Sequence, residues 1–351
     1  MHLTTSKLIH LVWHSVDWLD RRTSLIELAD NLMSGTQRPF RFGIQFAGTR
    51  TRGAGARTEW TEQARKAEAL GYDILVMPDH LGGQFAIGSA LAVVAEATTA
   101  LRIGTLVLQN DLRHPALVAM EAATLDVLSD GRFEIGLGAG GSFMPDYEWT
   151  GIPFDPPGTR VGRLEESLLV IKGLFAEGPV TFTGQHYTIT DLEGQPKPIQ
   201  EPHPPILIGG GGPRMLSLAA READIVSILA PMLPGGGQFR MEGSTAAAVS
   251  EQVELIRRAA GTRFPAMELN ILLQRLVVTE DVRQAREDLS REWVPLTPEE
   301  VGETPYLLIG TVDEIVATLQ ARRDHWGISY VVVFGEHLDA FAPVVAELAG
   351  R

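Results

Sequence analysis

From Phe40 onward, short apolar runs alternate with longer stretches whose apolar positions recur every three or four residues. The strand-like runs are RFGIQFAG (41–48), YDILVMP (72–78), RIGTLVLQ (102–109), RFEIGLGAG (132–140), PILIGG (205–210), DIVSIL (224–229), MELNILLQRLVV (267–278) and ISYVVVF (328–334). Between and after them the periodicity predicts helices over 58–71, 89–99, 114–130, 158–175, 213–223, 245–261, 311–327 and around 339–350. Eight strand–helix units over 40–351 predict an α/β chain folded as a (β/α)8 TIM barrel with insertions. Several strands are apolar without alternation, as parallel strands covered by helices are. An open doubly wound sheet is the alternative.

Two stretches interrupt the rhythm. PVTFTGQHYTIT (179–190) alternates in steps of two around Thr183-Gly184-Gln185, which predicts a β-hairpin inside an insertion near 178–204. PGGGQ (234–238) marks a surface loop inside a second insertion near 230–244. Residues 1–39 precede the pattern and read as an extension outside the barrel, ahead of a natural start near Met33. Within them, LIHLVWHSVDWL is too short and too interrupted by His10, His14 and Asp17 to span a bilayer.

Composition narrows the function. A net charge of −14 argues against nucleic acid as a partner, because phosphate backbones demand a basic surface. The absence of cysteine excludes disulfides, thiolate catalysis and thiolate-held metals. It fits a cytoplasmic enzyme. The histidines show no ligand spacing, so no metal site is expected. No G-x-S-x-G elbow supports a serine hydrolase.

Four strand ends carry candidate chemistry. The second strand runs into Pro78, Asp79 and His80; in a barrel this is the face that hosts catalysis, and a carboxylate beside an imidazole suits proton transfer near neutrality. A turn in which Asp79 merely caps backbone groups is the bland alternative. QNDLRHP (109–115) reads as turn and cap residues before a helix opened by Pro115. GLGAGG (136–141) satisfies a dinucleotide fingerprint, but SFMPDYEWTGIPFDPPG follows, with too many prolines and aromatics for the required helix. IGGGGPRML (208–216) offers free N–H groups, a helix start at Pro213 and the cation Arg214, so it is either a phosphate cradle or a flexible connection.

Taken together, ARKAEALGYDILVMPDH, LRIGTLVLQNDLRHPALVAMEAATLDVLSDGRFEIGLGAG, RLEESLLVIKGLF, ILIGGGGPRMLSLAAREADIV and LIGTVDEIVATL resemble the bacterial luciferase-like oxidoreductases, in family order. The resemblance implies a flavin or deazaflavin at the strand C-termini. Asp79 and His80 would flank its ring, with His80 contacting substrate or relaying a proton. The segment Thr105–Gln109, with Thr105, Leu106 and Val107 against the ring, would form a supporting bulge, often with a non-prolyl cis peptide, and Asn110 would lie beside it. Gly138, Ala139, Gly140 and Tyr147 would line the ring or ribityl chain, while Gly209, Gly210, Gly211, Gly212 and Arg214 would take the phosphate. The run GIPFDPPGTRVGRLEESLLVIKGLF and the DH–NDLRHP pairing look more like the branch that uses coenzyme F420. The expected function is hydride transfer between the deazaflavin C5 and a small organic substrate. The alternatives are an FMN-dependent monooxygenase served by a separate reductase, and a cofactor-binding relative without turnover. Family habit adds a homodimer.

Overall fold

The strand Ile74–Met77 is four apolar residues, all buried, and it pairs in parallel on both sides. A strand covered on both faces needs no polar alternation, and this pattern repeats around the molecule. The computed structural model describes residues 37–49, 53–233 and 235–351; the extension expected over 1–39 lies almost wholly outside the described residues.

The parallel strands are β1 (Arg41–Gln45), β2 (Ile74–Met77), β3 (Arg102–Thr105) with its continuation β4 (Leu108–Gln109), β5 (Phe133–Gly138), β8 (Ile206–Gly210), β9 (Ile225–Ile228), β10 (Glu268–Leu272) and β13 (Ile328–Phe334), counting β6 (Pro179–Thr183) and β7 (Thr188–Glu193) between them, and β11 (Arg275–Val278) and β12 (Leu307–Gly310) after β10. They are hydrogen-bonded in the order β3-β2-β1-β13-β10-β9-β8-β5. Ile103 opposite Phe133 and Gly104 opposite Glu134 then close the ring. Closure excludes the open doubly wound sheet and makes the chain an eight-stranded TIM barrel.

The interior is filled in layers. At the N-terminal ends, Arg41 bridges Glu134 (2.5 Å) and Glu268 (2.6 Å), and its guanidinium lies 4.6 Å from the Tyr330 ring centre. Burial alone would lower the Arg41 pKa, but the two glutamates outweigh it and hold the charge in place. Above this ionic floor sit Ile74, Val76, Leu106, Leu207, Ile225, Tyr330 and Val332, all buried. The floor and this apolar layer leave only the C-terminal end of the barrel for a ligand.

The helices are α1 (Ala56–Ala69), α2 (Ile87–Ala97), α3 (Pro115–Leu128), α4 (Pro145–Thr150), α5 (Pro157–Phe175), α6 (Pro213–Glu222), α7 (Ala246–Ala260), α8 (Val282–Glu292), α9 (Pro298–Glu303), α10 (Val312–Trp326) and α11 (Leu338–Leu348). Their starts follow local chemistry: α3, α5 and α6 begin with proline, where the missing N–H costs nothing, and α10 has a capping box from Thr311 and Glu314. No described helix is long and apolar enough to cross a membrane.

Two sequence expectations need correction. The run 267–278 is not one strand: β10 stays in the barrel, while β11 leaves it to pair in parallel with β12 as a separate two-stranded sheet. The segment after GLGAGG does contain a helix, the single-turn-and-a-half α4, because Pro145 opens it and Gly151 at φ 69° ends it. The β6–β7 hairpin is antiparallel, with Phe182 opposite Ile189, and its turn is held by Glu166, which accepts from the N–H groups of Gln185, His186 and Tyr187.

Candidate active site

A cavity of about 500 Å³ opens at the C-terminal ends of the strands. Its size and apolar walls suit a small-molecule ligand. His80 stands in its wall just beyond β2, with its side chain about one-third exposed. Its Nδ1 lies 2.9 Å from Asp146 Oδ2, so Nε2 is the nitrogen left for a ligand. The edge of Phe143 packs on the imidazole at 5.2 Å between ring centres, and Trp149 packs on Phe143.

Asp146 is fully buried in α4 and three groups hold it. Leu81 N donates to Oδ1 at 2.9 Å, and Gln109 Nε2 and the imidazole meet Oδ2. Burial pushes its carboxyl up, but these hydrogen bonds outweigh burial and hold it below the usual aspartate range. An ionised Asp146 fixes the imidazole with Nδ1–H as donor, which leaves a lone pair on Nε2.

Asp79 has hydrogen-bond partners of its own. Arg113 clamps it with two bonds, Nε to Oδ2 at 2.8 Å and Nη2 to Oδ1 at 2.9 Å, and Gln109 N adds a third at 3.0 Å. With both oxygens occupied, this carboxylate orders the turn; the one on His80 is Asp146. Gln109 joins the two systems, since its Nε2 also donates to Asp79 O at 2.6 Å. The 109–115 segment keeps its turn-and-cap character as well: Asn110–Leu112 is a single 3-10 turn, and His114 Nδ1 accepts from Ala116 N at 3.3 Å.

Between β3 and β4 the chain makes a bulge with a cis peptide at Leu106–Val107, and Gln45 Nε2 donates to Leu106 O at 2.9 Å. The bulge explains the neighbouring glycines. A Cβ on Gly138 would come within 2.7 Å of Val107 Cγ2, and one on Gly209 within 3.3 Å of Val107 Cγ1. On Gly136 it would collide with the Thr105 carbonyl. These glycines therefore make room for the bulge as much as for a ligand.

The far end of the cavity gathers two helix starts. Pro157 and Gly158 of α5 and Pro213 and Arg214 of α6 all line it, with Gly209–Gly212 between strand and helix. Gly212 caps α6 without a side-chain bond, so the first N–H groups of that helix stay open to an anion. Arg214 reaches across to Gly158 O at 2.8 Å and ties the two starts together.

Of the residues singled out from sequence, Asp79, His80, Leu106, Val107, Gly138, Ala139, Gly140, Gly209–Gly212 and Arg214 line this one cavity. Three others are placed outside its lining. Thr105 is buried and exchanges two bonds with Gly136 through Oγ1. Asn110 is buried beside Tyr187. Tyr147 is buried with its hydroxyl on Asp111 Oδ2 at 2.9 Å, and burial together with that carboxylate pushes its pKa up. Sequence reading missed Asp146, Gln109 and Arg113 as partners of the 79–80 pair. Asp146 is 66 positions from His80 and belongs to a segment judged non-helical. Arg113 was visible as a cation on the adjacent strand end, the one signal available.

The sequence matches the family model described as luciferase-like monooxygenase over residues 40–327. It is similar to the F420-dependent glucose-6-phosphate dehydrogenase of Kineococcus radiotolerans, 31% identical over 278 residues, 76% of this chain and 78% of that one. It is also similar to the FMNH(2)-dependent dimethylsulfone monooxygenase of Pseudomonas putida, 27% identical over 54% of this chain and 48% of the relative. Other curated relatives are likewise matched over only about half of their own length. Among solved structures, an F420-dependent secondary alcohol dehydrogenase in complex with an F420-acetone adduct superposes with a TM-score of 0.68 at 21% identity, covering 88% of this chain and 99% of that one, a likeness of fold.

Proposed function

Since the chain belongs to the luciferase-like monooxygenase family, we propose that this oxidoreductase uses coenzyme F420 and moves a hydride between the deazaflavin C5 and a small organic substrate. The cavity fits such a group on its own evidence: apolar walls for a flat ring, a bulge backed by glycines, and an anion-ready pair of helix starts at one end. Leu106, Val107, Gly138 and Ala139 would hold the ring, and the N–H groups of 209–212 with Arg214 the phosphate. When bound, the deazaflavin would supply a carbon centre, C5, that accepts or gives hydride and forms no hydroperoxide.

The protein's part is binding and proton management. With an alcohol as substrate, the C–H hydride would pass to the bound deazaflavin C5 and the hydroxyl proton to His80 Nε2. The imidazolium so formed is balanced by Asp146 across the 2.9 Å bond. In the reverse direction His80 returns that proton to the carbonyl oxygen. Phe143 and the turn held by Asp79 and Arg113 keep the imidazole in place.

The observation that carries this reading is the His80–Asp146 pair in the wall of the same cavity that Gly209–Gly212 and Arg214 line. His80→Ala is expected to lower turnover by roughly 10²–10⁴-fold and to leave the cofactor Kd within about threefold. Unchanged turnover removes His80 from the chemistry. The second reading, FMN with a separate reductase, draws support from the family's monooxygenases and the Pseudomonas relative. Oxygen uptake driven by reduced FMN, with no binding of F420, would favour it.

A further inference from the structure

The remaining wall of the cavity bears on the substrate. Beyond β9 the chain folds back on itself: Met232 pairs with Phe239 in an antiparallel bridge, and Arg240 N donates to Pro231 O at 2.7 Å. This miniature hairpin docks on the loop that follows β5. Gly237 N donates to Gly141 O at 2.9 Å. Gly236, at φ 73°, sits so close to that loop that a Cβ would come within 2.7 Å of Met144 Sδ and 2.8 Å of the Phe154 ring. The same loop carries Phe143 against His80, and at its base the hairpin follows Leu229 and Ala230, which pack on Gly211. Met232, Leu233 and Phe239 line the cavity, and Leu233 and Phe239 are 37% and 39% exposed.

Charge is placed differently. Among the described residues, the cavity wall holds two cations, Arg160 and Arg214. Arg160 is occupied, with Nε on Asp155 O at 3.1 Å, Nη1 on Ala139 O at 3.2 Å and its guanidinium over the Phe154 ring at 4.6 Å. Arg214 stands at the α6 start, the end that the function proposed above gives to the cofactor phosphate. To the lining of this cavity the hairpin contributes Met232, Leu233 and Phe239 and no cation, its Arg240 lining the neighbouring cavity instead, and an unpaired phosphate against apolar walls is strongly disfavoured.

We infer that the 231–240 hairpin selects the substrate, and that the class it selects is an uncharged alcohol or carbonyl compound with an apolar body, not a sugar phosphate. The inference rests on the function proposed above in one respect, that the Arg214 end serves the cofactor. The apolar body lies under Leu233 and Phe239 while the reacting oxygen meets His80 Nε2.

The test is calorimetric titration of the F420-loaded protein with acetone, 2-pentanone and 2-octanone, and with glucose 6-phosphate. Affinity should rise about fourfold per added methylene until the hairpin is covered, and glucose 6-phosphate should bind more weakly than 2-octanone. Phe239→Ala, at an exposed position with a melting temperature expected to match wild type, should weaken 2-octanone about tenfold and acetone less than twofold. A flat series, tighter binding of glucose 6-phosphate, or a Phe239→Ala effect equal for all ketones overturns the inference. Titration with F420 alone separates the two readings. If F420 does not bind, the cofactor assignment falls, and the same ketone series on unloaded protein still decides the substrate class.

Discussion

His80 and Asp146 form one hydrogen-bonded pair, and its chemistry predicts a pH signature. The Asp146 carboxyl is held below its usual value, so it contributes stability that is fully present above the unfolded value of about 3.9 and is lost as pH falls through the lower folded value. Wild type should therefore melt higher than Asp146→Asn at neutral pH, with the gap closing below about pH 4. A gap that widens on acidification would contradict the pairing. Asp146→Asn should also cut turnover, because an amide cannot balance the imidazolium, while cofactor binding measured by fluorescence stays within about threefold. Asp79 calls for a different outcome. Its partner Arg113 is partly exposed, so Arg113→Ala should cost about 3 kcal/mol, the lower part of the range for stripping a buried carboxylate of its counter-ion. Chemical denaturation reads that directly. Proximity in sequence pointed to Asp79 as the partner of His80; the fold chose an aspartate 66 positions away, because α4 drops its first turn onto the end of β2.

At the scale of elements, the glycines divide into two kinds. Gly136 backs the bulge, and a methyl there meets the Thr105 carbonyl, a backbone atom that cannot swing away. Gly212 caps α6 with open space around it. Gly136→Ala should therefore destabilise by about 1–3 kcal/mol or more, whereas Gly212→Ala should melt like wild type. Equal melting of the two would remove the steric reading of the bulge. The strand ends and helix starts were legible because proline, glycine and capping residues punctuate them. The β11–β12 pair was not: only Gln274 and Arg275 separate the apolar run of β10 from LVV, with no glycine or proline to mark the change, and LLIG is only four residues followed by a capping threonine. Whether such a run stays in the barrel depends on partners distant in the chain, and no local pattern encodes that.

At the scale of the whole molecule, the barrel separates stability from chemistry along its axis. The Arg41–Glu134–Glu268 floor lies at the N-terminal ends and the cavity at the C-terminal ends. Arg41→Ala should lower stability by about 3–5 kcal/mol and leave cofactor affinity unchanged, as paired denaturation and binding titrations would show. The eightfold alternation in the sequence was sufficient for the architecture, since each strand–helix unit carries its own apolar pattern. The site was only partly legible, because its lining comes from the ends of all eight barrel strands, whose mutual distances exist only after the ring closes. In the function proposed above, one phosphorylated deazaflavin spans this cavity from His80 to Gly209–Gly212. Side-by-side fluorescence titration of the protein with coenzyme F420 and FMN tests it most directly. F420 should bind saturably, at least about tenfold tighter than FMN, and more weakly to Arg214→Ala; binding of FMN alone, or F420 binding indifferent to Arg214, would contradict that assignment.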